Sequence, residues 1–456
     1  MVTISPAELQ AFQQLAIEDL LQSVVIQLSV LIVAARAFGY LFRKIGQSEV
    51  VGEIAAGLVL GPSLLGWLAP DLSQLLFRPA FDGIPHELSD PAMGKIFAVL
   101  SQIGLIFLLF LVGLEFDFSH LRDHGRSALT ISLAGLAVPF ALGLAISPVL
   151  LPRIEEYAPG ERVPALGFAL FLGVALSITA LPVLGRMMLE WNITRTKLGT
   201  ITISAAALED AIGWVMLASI AAVVRSRFDV LQAVKMAALS VAFGLVMVFA
   251  FRPLLLRWAQ SALRRGQGEL SLIDLALLLV GTFISALITS WIGIFAIFGA
   301  FLFGAALSGE TAFRDAVVRR LRDLVTAFFL PIFFTYTGLR TDVRSLGSLE
   351  MWLLGALVLM ASALGKLGGC GLAAWATGFT KRESACIGAM MNTRGLMELV
   401  VVNLGYEMRV IPRSVYCMLV LMALITTFMT TPLMRRLASG TELEEPMRQA
   451  GVIRKG

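Results

Sequence analysis

The chain has 456 residues, of which 57% are hydrophobic and 15% charged, with a mean hydropathy of +0.83. A soluble domain carries about a quarter charged residues, so a soluble globular protein is excluded. The net charge of +4 calls for no nucleic acid, and the three cysteines (Cys370, Cys386, Cys417) sit in apolar blocks without pairing or ligand spacing, which reads as core.

Glu8, Glu18 and Asp19 occupy the place where a secretory signal would be basic, so no cleaved leader is expected. Apolar segments long enough to cross a bilayer then follow at about 20–42, 49–67, 97–118, 127–150, 163–188, 198–224, 229–251, 270–291, 293–308, 323–339, 350–377, 384–406 and 412–434. The ninth is short and its junction with the eighth is tight at Trp291-Ile292-Gly293, which leaves twelve spans as the alternative to thirteen. Residues 438–456 form a tail too short for a domain, so 1–437 reads as one transmembrane unit. No Gly-rich dinucleotide fingerprint follows a strand, and neither a nucleotide module nor a nucleic-acid partner is expected.

The alternate loops that begin with Arg43 and Lys44 carry 22 basic residues, against 10 on the other side. Basic loops stay inside. With an odd span count the N-terminus is expected outside and the C-terminus in the cytoplasm, in the plasma (bacterial inner) membrane.

Polar residues within the apolar segments carry the chemistry. The second span holds Glu53 beside Gly57 and Gly61, a charge expected to serve packing. The third ends in Gly113-Leu-x-x-Asp117 and the tenth in Gly338-Leu-x-x-Asp342. Seven spans separate these copies, and an odd offset means a weak repeat of inverted topology. Glu115 and Asp117 have Arg122 as a neighbour, and His86, His120 and His124 read as solvated loop residues.

The same offset links two interrupted segments. The fifth span places Ser177, Thr179 and Pro182 at mid-membrane, and the twelfth places Asn392, Thr393, Arg394, Gly395 and Glu398 there. Freed backbone at that depth must be buried in protein or line a wet cavity. Paired broken helices in inverted repeats build midplane ion sites in many transporters. Arg394 and Glu398, four apart, are expected to pair along one helix face, with a positioning or gating role as the alternative to a purely structural one.

The sixth span carries adjacent carboxylates, Glu209 and Asp210, flanked by Ala206, Ala207 and Gly213; the eleventh carries Lys366 among Gly365, Gly368 and Gly369. Each charge at such depth costs roughly 2.5–3.5 kcal/mol. Neighbouring helix positions point about 100° apart, so the two acids can face different partners. Glu209 is expected to pair with Lys366. Asp210 is left to bind either a proton or Na⁺/K⁺, with oxygens of Ser177, Thr179 and unwound backbone completing the ion's shell. Such competition makes an antiporter; cation-coupled symport of a small anion at Arg394, or a cation channel, are the alternatives.

Four stretches carry a family resemblance: Glu53-Ile-Ala-Ala-Gly-Leu-Val-Leu-Gly-Pro-Ser-Leu-Leu-Gly66, Phe110-Leu-Val-Gly-Leu-Glu-Phe-Asp117, Ala175-Leu-Ser-Ile-Thr-Ala-Leu-Pro-Val-Leu-Gly-Arg186 and Asn392-Thr-Arg-Gly-Leu-Met-Glu-Leu399. They resemble signatures of the monovalent cation:proton antiporter superfamily, in the branch of Kef-type, NapA-type and plant cation/proton exchangers. The resemblance implies an all-α polytopic membrane protein with an NhaA-like antiporter fold, two inverted-topology repeats and crossed broken helices. It implies a panel (about 20–118 and 270–340), a core (about 127–224 and 350–434), a linker helix (about 229–251), elevator motion and a homodimer in lipid. It places the essential aspartate at Asp210, the preceding position at Glu209 and the charge partner at Lys366, with no cofactor beyond the transported ions. An acid at 209 is similar to electrogenic members, although glutamate departs from the Asp, Asn or Gln common there. No soluble regulatory domain of the Kef type is expected from these 456 residues, and the fifth-span motif leans towards K⁺.

Overall fold

The computed structural model describes residues 17–47, 49–77, 86–115, 125–154, 163–194, 196–225, 230–293 and 295–453, and among them there is no strand. The main helices are α1 (Ile17–Lys44), α2 (Glu49–Leu60), α3 (His86–Glu115), α4 (Gly125–Leu150), α5 (Ala165–Ser177), α6 (Leu181–Glu190), α7 (Lys197–Arg225), α8 (Val230–Val246), α9 (Arg252–Arg265), α10 (Leu272–Ile292), α11 (Ala296–Leu307), α12 (Thr311–Leu324), α13 (Leu330–Leu339), α14 (Leu349–Ala376), α15 (Lys381–Met391), α16 (Leu396–Glu407) and α17 (Arg413–Leu437). Asp117, His120, Arg122 and His124 lie outside the described residues, as do the side chains of His86, Glu115 and Pro182.

Among the described residues, ten helical runs are long and apolar enough to cross a membrane, at ten of the thirteen expected positions. The other three positions hold shorter pieces: α5 followed by α6, α11 alone, and α15 followed by α16. The tight junction before α11 is a helix stop. Gly293 adopts a left-handed φ of 102° and its N–H returns to Ser290 and Thr289, which is how glycine closes a helix without steric cost.

Two helices outrun their expected limits. The linker expected at 229–251 continues through a π-helical turn (Met247–Phe251) into α9, and the tenth span, expected at 323–339, begins at Thr311 and reaches α13 through a second such turn (Val325–Phe329). The added stretches are amphipathic. Ala259, Ala262, Phe313, Val317 and Leu321 are buried while Arg319, Arg320 and Arg322 face outward. An apolar-run criterion sees only part of such a helix; its 3.6-residue period carries the rest.

Glycines reveal the repeat. Gly52 of α2 lies against the backbone of Phe38 and Gly39 in α1, and Gly57 against Thr335, Gly338 and Leu339 in α13. Gly299 of α11 lies in the same way against Ser285 and Ala286 in α10, and Gly304 against Phe110 and Leu114 in α3. The spacing 38, 39, 52, 57 is that of 285, 286, 299, 304. The reciprocal contacts match too: Gly113 meets Phe301 and Ala305, and Gly338 meets Ile54 and Leu58. Each of these six glycines has no room for a methyl group, which is how helices without a hydrophobic drive between them associate closely. The two Gly-Leu motifs are therefore equivalent positions in two structural repeats. Asp342, closing the second copy, caps the turn Val343–Leu346 by accepting from the Arg344 N–H at 3.1 Å. Glu53, 5% exposed, lies 3.6 Å from Arg36, as a packing charge should.

The largest apolar cluster joins α5, α16 and α17 through Phe168, Phe171, Val400, Leu404, Val415 and Leu419, all essentially inaccessible. All three cysteines are buried and free. One half of each interrupted helix is thus held in this cluster, and the other halves, α6 and α15, lie in a second one.

Candidate ion site at two crossing helix breaks

α5 stops at Ser177, and Ile178, Thr179 and Ala180 run extended before α6 begins. Pro182 is the second residue of α6, where a missing N–H removes no helical hydrogen bond. The proline thus accompanies a true break where a kink would have kept the helix continuous. The partner break spans Asn392, Thr393, Arg394 and Gly395 between α15 and α16. The two breaks satisfy each other: the Ala180 N–H donates to the Thr393 carbonyl at 3.1 Å, and the Thr179 hydroxyl donates to the Met391 carbonyl at 2.8 Å. From α17, Thr427 accepts from the Arg394 N–H at 2.9 Å and donates to the Arg394 carbonyl at 2.7 Å. Freed backbone groups therefore find partners inside the protein, as lipid depth demands.

Arg394 closes the assembly. Only 1% exposed, its guanidinium donates to the carbonyls of Ala175 (3.3 Å), Leu176 (2.5 Å) and Ile178 (2.5 Å), and to the Ser362 hydroxyl (2.8 Å). The last carbonyls of a helix lack intrahelical partners and carry its negative dipole end. A cation fitted to the end of α5 meets both needs. The expected pairing of Arg394 with Glu398 is present, but it does not run along one continuous helix face. Arg394 lies in the break while Glu398 opens α16, and their 3.9 Å separation bridges a break and a helix start.

Glu209 and Lys366 pair as expected, with Nζ 2.6 Å from Oε2 and both side chains wholly buried. Small residues permit this. Gly365 and Gly369 of α14 lie against Pro139 and Ala134 of α4, and an added methyl at Gly135 would overlap both the Glu209 carboxylate and the Cys370 thiol. Asp210 is 4% exposed and forms no ion pair among the described residues; its Oδ1 has no hydrogen-bond partner there. One turn further along α7, Gly213 lies under Ile178 of the first break, 3.1 Å from where a Cβ would stand. The acidic pair is thereby placed at the crossing and away from lipid.

Other predicted residues gather at the same place. Ser177 is buried and donates to the Gly173 carbonyl at 2.6 Å, and both it and Thr179 keep acceptor lone pairs. Both side-chain polar atoms of Asn392, both carboxylate oxygens of Glu398 and Glu209 Oε1 are buried without a hydrogen-bond partner among the described residues. Such orphaned atoms are rare in folded proteins, and their concentration beside one helix crossing marks a place where ligands or water complete the chemistry. Thr427, Ser362 and Gly135 escaped the sequence reading. The doublets Thr426-Thr427 and Thr430-Thr431 in an otherwise apolar helix were the available signal for the first; nothing local pointed to the other two.

Comparison with known proteins agrees with this architecture. The family model described as "Sodium/hydrogen exchanger, transmembrane" matches residues 29–436. The chain is 37% identical over 408 residues to Na(+)/H(+) antiporter NhaS4 of Synechocystis sp., covering 89% of this chain and 94% of that one. It is 36% identical over 408 residues to Cation/H(+) antiporter 18 of Arabidopsis thaliana, covering 90% of this chain and 48% of the relative, so it spans about half the length of that plant protein. The solved structure of the sodium proton antiporter MjNhaP1 from Methanocaldococcus jannaschii at pH 8 superposes with a TM-score of 0.56 at 14% identity, covering 94% and 99% of the two chains; that likeness concerns the fold alone.

Proposed function

The chain belongs to the sodium/hydrogen exchanger family, and from that premise we propose that it exchanges Na⁺ and/or K⁺ for H⁺ by alternating access, with Asp210 as the group that carries either ion. The observation behind this is the division of labour between adjacent carboxylates. Lys366 neutralises Glu209 at 2.6 Å, whereas Asp210 is buried with an oxygen that has no protein partner among the described residues. A carboxylate held out of water is penalised in its charged form. A proton relieves that penalty, and so does an alkali cation coordinated by Asp210, Ser177, Thr179 and carbonyls of the breaks. One negative charge accepts one of them at a time, and coupling follows if the site crosses the membrane only when neutralised.

The proposal extends to motion. The panel is residues 20–118 and 270–340, zipped by paired glycines. The core is residues 127–224 and 350–434, built on the breaks, and the helix from 229 links them; the core moves against the panel as an elevator, in a homodimer embedded in lipid. Asn392, Thr393, Arg394 and Glu398, with Pro182 at the head of α6, hold the breaks open and in register. The loop charge supports a cytoplasmic C-terminus and an outside N-terminus.

Anion symport finds less support, because the terminal nitrogens of Arg394 are already committed to Ala175, Leu176, Ile178 and Ser362. Proteoliposomes with a preset pH gradient test the reading. Added Na⁺ or K⁺ collapses the gradient for the unaltered protein and leaves it standing for Asp210→Asn. Because the ions compete, the apparent KM for the cation rises as pH falls. Flux that needs a cosolute, or that proceeds without proton movement, overturns antiport; comparing Na⁺, K⁺ and Li⁺ in the same assay fixes selectivity.

A further inference from the structure

A second site lies far along the chain from the acidic pair, at the end of the bundle where α2, α13 and α16 finish and α17 begins. A cavity of about 600 Å³ opens there, and its lining includes Arg340, Arg344 and Arg413 with Tyr406, Ser73 and Gln74, and no carboxylate among the described residues. The volume is that of a small-molecule site. One nearby acid serves two of these arginines: Asp342 lies 3.4 Å from Arg344 and 3.1 Å from Arg413. Arg340 is held over the rings of Tyr406 and Tyr336, at 4.8 and 5.5 Å from their centroids, a placement that restricts where its guanidinium can sit. Glu407 shares the adjoining pocket with Arg340, so three arginines stand against two carboxylates, and positive charge still exceeds negative around an open cavity furnished with hydroxyl and amide groups.

The opposite wall is the pair of short helices Leu65–Leu68 and Pro70–Phe77. Their outer surface presents Trp67 (65% exposed), Leu68, Leu72 and Leu75. Short apolar-faced helices with tryptophan belong at the headgroup level of a membrane. The cavity thus stands where phospholipid phosphates stand, with an apolar rim for acyl chains beside it.

We propose that this cavity binds the phosphate headgroup of an anionic phospholipid, with Arg340, Arg344 and Arg413 as donors. Guanidinium forks match phosphate oxygens two at a time. A phosphate held here bridges Arg340 and Arg344, on the α13 side, to Arg413 at the start of α17, and so adds a link between two elements already joined through Asp342–Arg413 and the Tyr416–Thr337 hydrogen bond. The inference does not depend on the exchange reading, since it concerns binding alone.

The test uses the full chain in detergent. Its melting temperature is measured with phosphatidylglycerol, with phosphatidylcholine of the same acyl chains, and with inorganic phosphate at equal concentration. The expected result is a higher melting temperature with phosphatidylglycerol only. Arg340→Gln and Arg344→Gln are each expected to raise the half-saturating lipid concentration about tenfold, the loss of one charge-assisted contact, with Arg344→Lys intermediate. Native mass spectrometry of the unaltered chain, where no variant needs to fold, is expected to retain phosphatidylglycerol in preference to phosphatidylcholine. Equal response to the two lipids, or an unchanged response in both glutamine variants, overturns the proposal. Inorganic phosphate matching the lipid overturns the lipid as the source.

Discussion

Where α2 meets α13, Gly57 and Gly338 bring two unbroken helices into backbone contact, with the Thr335 hydroxyl donating to the Glu53 carbonyl across the seam at 3.2 Å. Where α5–α6 crosses α15–α16, both helices are open, and their carbonyls and amides bond across the gap to each other, to Thr427 and to Arg394. Both regions are buried to a similar degree. They differ in how many polar atoms they leave wanting. The glycine seam has a geometry that ions and protons do not alter, whereas the crossing holds carboxylate and amide atoms that have no protein partner among the described residues. Rigidity in one place and unmet bonding capacity in another are what a carrier with a fixed scaffold and a responsive site requires.

The sharpest way to break this contrast is Asp210→Asn. Exchange in proteoliposomes is expected to fall to background while the protein still purifies as a folded species, because amide replaces acid without a change of shape. Exchange at near-normal rate would remove Asp210 from the mechanism and leave the orphaned oxygen unexplained.

Lys366→Gln comes next in size. It strands Glu209 as a buried charge, which costs about 3–5 kcal/mol, read as a large drop in melting temperature together with an altered pH profile of exchange. Joint replacement by Lys366→Met and Glu209→Leu is expected to recover most of that stability, since a buried ion pair and an apolar pair of similar volume are often near equivalent. Wild-type stability in Lys366→Gln would mean that the pair contributes little.

Gly57→Val and Gly304→Val sharpen the other side of the comparison. Overpacking costs about 1–3 kcal/mol or more where no neighbour can yield, and the repeat equivalence predicts similar losses for the two variants in chemical denaturation. A severe effect at one and none at the other would dissolve the equivalence. Smallest of all, Ser362→Ala removes one acceptor from Arg394 and is expected to cost about 1 kcal/mol while exchange continues, because three carbonyls still hold the guanidinium.

Much of this site was legible in the chain because polar residues are conspicuous against an apolar background. Glu209, Asp210, Lys366, Arg394 and the two interrupted segments each violate hydropathy, and burying a charge in lipid is too costly to be incidental. The pairing of Glu209 with Lys366 was readable for the same reason, since opposite charges at that depth have few other partners. Arg394 was read only in part. Spacing along the chain pointed to Glu398, which does lie 3.9 Å away, but α16 begins at Leu396, after Arg394, so the two share no helix face, and the hydrogen bonds of the guanidinium go to the carbonyl end of α5. The amphipathic extensions α9 and α12 were missed because their burial is periodic and a search for apolar runs does not detect period.

Sequence alone therefore determined the class of the molecule, the places where its helices cannot be continuous and the acidic group left over for an ion, because each follows from the cost of polarity in lipid. Only the tertiary structure decided which carbonyls Arg394 satisfies, that Thr427 and Ser362 complete the breaks, and that Gly52, Gly57, Gly299 and Gly304 are equivalent. Those facts depend on backbones from distant parts of the chain meeting at contact distance. A glycine or a threonine reads the same in a chain whether or not another helix rests upon it.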